Sequence, residues 1–88
     1  MRAAAAIEAT TRHLKDHFDS DVADAIIGDD EVYTRAATRL GHLVDSDTTL
    51  AGIIADIAHS TDDGTADWLA TEADSPGAWF FKQINDRT

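Results

Sequence analysis

Apolar residues recur at helical spacing along almost the whole chain. Ile7, Leu14 and Phe18 stand seven and four residues apart, which places them on one face of a helix over residues 3–18. Ser20 is a capping residue for a short second helix, Asp21 to Ile27, whose inner face carries Val22 and Ile26 and whose stop is Gly28. Asp29 or Asp30 begins a third, with Val32, Ala36, Leu40, Leu43 and Val44 as a continuous stripe to about Asp45. Gly41 interrupts that stripe at a cost of roughly 1 kcal/mol relative to alanine, so it marks either a close helix contact or an early end.

Ser46 or Asp47 starts a fourth helix with Leu50, Ile53, Ile54 and Ile57 facing inward. After the turn "HSTDDG" a fifth is expected from about Thr65 to Ala73, and Ser75 with Pro76 opens a sixth that runs to near Asn85. No segment alternates with period two, so strands are not expected. The pattern predicts an all-α protein, a compact single-domain bundle of five to six short helices spanning 1–88.

Composition limits what such a bundle can do. The chain holds twenty-two large apolar side chains and sixteen alanines, material for one small core. It has no cysteine, which excludes disulfides, thiolate metal sites and cysteine nucleophiles. No apolar run approaches membrane-spanning length, and the alanine run at the start is broken by Glu8, so a soluble, cytoplasmic protein is expected.

Charge changes the picture most. Seventeen acids, fourteen of them aspartate, face seven bases, for a net charge of −10. No Lys or Arg lies between Lys15 and Arg35 or between Arg39 and Lys82, and the second gap holds eight carboxylates. Phosphate backbones repel such a chain, so direct nucleic-acid binding is not expected. Abundant Asp, Ala and Thr with only two lysines also fits a halophile, in which acidity serves solvation alone.

Candidate chemistry is sparse. His13 and His17 have the i, i+4 spacing of a helical metal pair, but no third ligand is specified, and scattered histidines on a surface helix are the commoner explanation, so no metal site is expected. His13, His42 and His59 are each followed three residues later by an aspartate, Asp16, Asp45 and Asp62. For the last two, helix punctuation accounts for the recurrence, since histidine suits a last turn and aspartate the next cap. There is no glycine-rich phosphate loop, no G-x-S-x-G elbow and no H-E-x-x-H, so neither catalysis nor a cofactor is expected. The outline "IIADIAHSTDDGTADWLATEA" suggests helix-turn-helix, yet its second helix would present Asp63, Asp67 and Glu72 to DNA.

The segment from Asp62 to Phe81 combines four of six aromatic residues with five carboxylates and no base. On helical spacing, Leu69, Phe80, Phe81 and Ile84 belong to the core, whereas Trp68 and Trp79 point off the obvious inner faces. Either these indoles are buried between neighbouring helices, or one of them anchors a partner within an acidic rim. The expected role is a non-enzymatic acidic binding module or inhibitor that occupies a basic surface of another protein. A nucleic-acid-binding groove suits it best, by analogy with acidic inhibitors of nucleases and CRISPR effectors. The contact residues expected are Asp56, Asp62, Asp63, Asp67, Trp68, Glu72, Asp74 and Trp79. The alternative is a halophilic homodimer or assembly subunit joined through Trp79 and the alanine-rich first helix.

Overall fold

Small residues decide how closely the helices approach. The computed structural model describes residues 1–60 and 75–87, which form five helices: α1 Ala3–His17, α2 Ser20–Ile27, α3 Asp30–Leu43, α4 Asp47–Ser60 and α5 Pro76–Asp86. No strand occurs among the described residues. The fifth helix expected at 65–73 lies outside them, so the sixth expected helix is α5. The protein is thus all-α, with a radius of gyration of 11.4 Å, against about 12 Å for a compact chain of this length.

α1 lies across both α3 and α4, α5 packs on α3, and α2 bridges α1 and α5. α1 and α3 approach closely at Gly41. A Cβ added at Gly41 would stand 2.5 Å from the Ala6 Cβ, far inside the usual carbon–carbon contact of about 3.5–4.0 Å. Of the two readings of Gly41 in the sequence, the close contact is therefore the one realised. The same stretch of α3 receives the Met1 nitrogen, which donates to the carbonyls of Gly41 at 3.0 Å and Val44 at 3.3 Å.

The buried face of α3 is Tyr33, Ala36, Ala37, Leu40 and Gly41. It is rotated from the expected stripe, with Val32 and Leu43 half-buried at its margins, because α1 and α5 together cover a wider arc than one partner would. In α4, Leu50, Ile54 and Ile57 are fully buried, with Ile53 at the edge. α1 buries Ala6, Ala9, Thr10 and Leu14, and Phe18 follows immediately after it.

Caps differ from the expected ones in an instructive way. Ser20 is already helical, and Asp19 holds the cap position of α2 without a side-chain bond. Ser46 accepts from the Thr49 N–H at 3.2 Å, and Ser75 accepts from the Ala78 N–H at 3.2 Å, as their positions before α4 and α5 predict. Asp29 sits at the cap of α3, yet its carboxylate makes no bond there. It accepts instead from the Gly77 N–H at 3.0 Å, which caps α5 from 48 residues away. Gly77 is needed for this approach, since a Cβ there would lie 2.6 Å from Asp29 Oδ2.

A polar tie joins α1 to α3 within the core. Thr11 Oγ1 donates to the Ile7 carbonyl at 2.8 Å and meets Tyr33 Oη at 2.6 Å. Burial pushes the Tyr33 phenol above its usual value of 10.0, an effect that the Thr11 hydroxyl partly offsets. With the folded value raised, the unfolded chain ionises first as the pH climbs, so the contribution is intact below about pH 10 and declines above it. Tyr33 is the sole tyrosine. Its phenolate absorbance, titrated natively and in denaturant, should therefore give the native curve at higher pH. Tyr33→Phe should cost about 1 kcal/mol at neutral pH and remove this alkaline loss.

Candidate interaction surface

The described surface divides its charge unevenly. From Asp16 to Glu31, across the end of α1, all of α2 and the first turn of α3, there are seven carboxylates and no Lys or Arg. Six are exposed: Asp16, Asp19, Asp21, Asp24, Asp30 and Glu31. Asp29, the seventh, is half-buried and committed to Gly77. The inward residues Val22, Ala23 and Ile26 hold α2 on the bundle, which turns Asp21 and Asp24 outward.

Helix polarity explains part of this edge. Asp21, Asp30 and Glu31 lie in first turns, where a negative charge meets the positive end of the helix dipole. Asp16 lies in the last turn of α1 and Asp24 in the second half of α2, where that interaction is absent or opposed. Neither takes part in an ion pair among the described residues. They add to the negative charge of the edge without the favourable dipole contact that Asp21, Asp30 and Glu31 have.

The ion pairs that do form lie elsewhere. Arg12 and His13 of α1 both reach Asp47, at 2.7 and 3.2 Å, and fasten the start of α4 to α1. His13 therefore turns to Asp47 and not to Asp16, with the His17 ring stacked beside it at 6.5 Å. No group of three or more potential metal ligands assembles among the described residues. His42 and His59 occupy the last turns of α3 and α4, as expected, but the side chain that caps α4 is Ser46 and not Asp45, and Asp62 lies outside the described residues.

Two of the expected contact residues have assigned places. Trp79 is 1% exposed and meets Phe18 edge-on, with ring centroids 6.3 Å apart. As a surface anchor it is corrected: α5 lies against both α3 and α2, so the flank carrying Trp79 is covered as fully as the flank of Phe80 and Ile84. The proposed subunit contact through Trp79 falls for the same reason. Asp56 is exposed, but its carboxylate accepts from Arg87 Nε at 2.7 Å. Asp62, Asp63, Asp67, Trp68, Glu72 and Asp74 lie outside the described residues, as does Leu69.

The base-free interval between Lys15 and Arg35 is the sequence signal for the α2 edge. Arg87 had a weaker signal, its i, i+4 relation to Gln83. No helix among the described residues is long and apolar enough to cross a membrane. The fold and surface define the class, a small acidic all-α bundle. No family model, curated protein or solved structure matches the chain.

Proposed function

We propose that this protein is a non-enzymatic acidic binding module that docks onto a basic surface of a partner protein. The observation that supports this reading most is the α2 edge: six exposed carboxylates with no ion pair among the described residues, two of them at positions where the helices themselves disfavour negative charge. A basic partner would supply the missing counter-charges, giving electrostatic steering and selection against acidic surfaces. A nucleic-acid-binding groove is the best-suited partner site, because it is built to accept a row of negative charges.

The test is competition with duplex DNA for a panel of DNA-binding proteins across a salt series. Binding to a true target should displace the DNA and weaken by about tenfold or more between 0.1 and 0.5 M salt, as the screening length shortens. Asp21→Lys with Asp24→Lys should reproduce that loss at low salt, and Asp63→Lys with Asp67→Lys reports the second acidic interval separately. Affinity indifferent to salt and to both pairs would remove the reading. Loss of helical circular dichroism in dilute buffer, recovered in molar KCl, would favour halophilic solvation instead.

A further inference from the structure

Arg87 engages the α4–α5 end of the bundle through all three guanidinium nitrogens. Nε donates to Asp56 Oδ2 at 2.7 Å, Nη2 to Ser60 Oγ at 2.8 Å, and Nη1 to the Gln83 carbonyl at 3.1 Å and Gln83 Oε1 at 3.0 Å. Asp56 and Ser60 are one turn apart on α4, and Gln83 lies on α5, so two helices present the acceptors. The Ser60 hydroxyl is itself oriented by donating to the Ile57 carbonyl at 2.8 Å, which leaves its lone pairs for the incoming N–H. The Arg87 side chain is 21% exposed, whereas Asp56 is 68% exposed. The guanidinium is sunk between the helices, and the carboxylate that neutralises it remains open to solvent.

Acceptors arranged around three nitrogens match a planar fork of donors. A lysine ammonium projects its three donors from one point and cannot span them. We propose that Asp56, Ser60 and Gln83 form a guanidinium seat, that Arg87 fills it in the free protein, and that an arginine of the basic partner takes its place on binding. The inference rests on the acidic-module reading and narrows the partner's chemistry to arginine. Exchange of one guanidinium for another conserves the hydrogen bonds, so displacement needs little beyond the proximity that docking supplies. Self-occupancy lowers the apparent affinity by the fraction of seats left open, and Arg87 acts as a built-in competitor.

The test uses the melting temperature of the intact protein, with ethylguanidinium as probe and ethylammonium at equal ionic strength as control. Arg87→Ala should melt about 3 to 6 °C below the wild type. Ethylguanidinium should raise that Tm in a concentration-dependent way, as expected for a ligand of the folded state, and ethylammonium should not. Wild type, with its seat filled, and Arg87→Ala with Asp56→Asn, with its charge removed, should show no such rise. Arg87→Lys should lose as much as Arg87→Ala. A wild-type Tm in Arg87→Lys, or no selective rise in Arg87→Ala, would overturn the proposal and leave Arg87 a simple clamp. Because no partner enters this experiment, its failure is distinct from failure of the salt-dependent competition above.

Discussion

Trp79→Ala is expected to remove about 3 to 5 kcal/mol of stability, the usual cost of deleting a large buried aromatic side chain. A chain of 88 residues has roughly 4 to 13 kcal/mol in total, so the variant should melt more than about 12 °C lower and be substantially unfolded in mild denaturant. The loss comes from two sources. The indole is almost wholly removed from water, and its contact with Phe18 joins α5 to the α1–α2 junction. Trp79→Phe should lose less, because an aromatic ring still reaches Phe18 while part of the volume is vacated. Urea unfolding followed by circular dichroism decides the matter. A variant with wild-type stability would return Trp79 to the surface.

Gly41→Ala is the second large effect, and its sign runs against helix propensity. In an exposed helix the substitution should stabilise by roughly 1 kcal/mol. Here the added methyl would stand 2.5 Å from the Ala6 Cβ, and neither neighbour is the movable end of a long side chain. The helices must separate, which loosens the Tyr33–Thr11 tie and the contacts of Leu40, and a net loss of about 1 to 3 kcal/mol is expected. Ala6→Gly alone should cost about 1 kcal/mol through propensity. The pair together should be clearly less destabilised than the sum, because the methyl moves from one helix to the other. Strict additivity in that double-mutant cycle would show that the two positions do not share the crossing.

Much of the architecture was legible in the chain itself. Leu50, Ile54 and Ile57 repeat at a spacing that only one helical face satisfies, and Ser75 followed by Pro76 marks the α5 start to the residue. The candidate surface was less legible, because periodicity describes each helix alone and says nothing of how many neighbours it has. Trp79 shows the difference: it lies off the apolar stripe of α5, yet it is buried and meets Phe18 edge-on. Asp29 shows it again, as a residue type suited to a local cap whose carboxylate accepts from the Gly77 N–H of another helix.

By itself the sequence determined the five described helices, most of their inward faces, the excess of negative charge and the absence of cysteine chemistry, since these follow from spacing and residue type along the chain. Tertiary structure alone decided which carboxylates are already neutralised. Asp47 meets Arg12 across 35 positions, Asp56 meets Arg87 across 31, and Asp16 and Asp24 meet no base among the described residues. Charge pairing depends on distance through space, and that distance exists only once α1, α4 and α5 have packed.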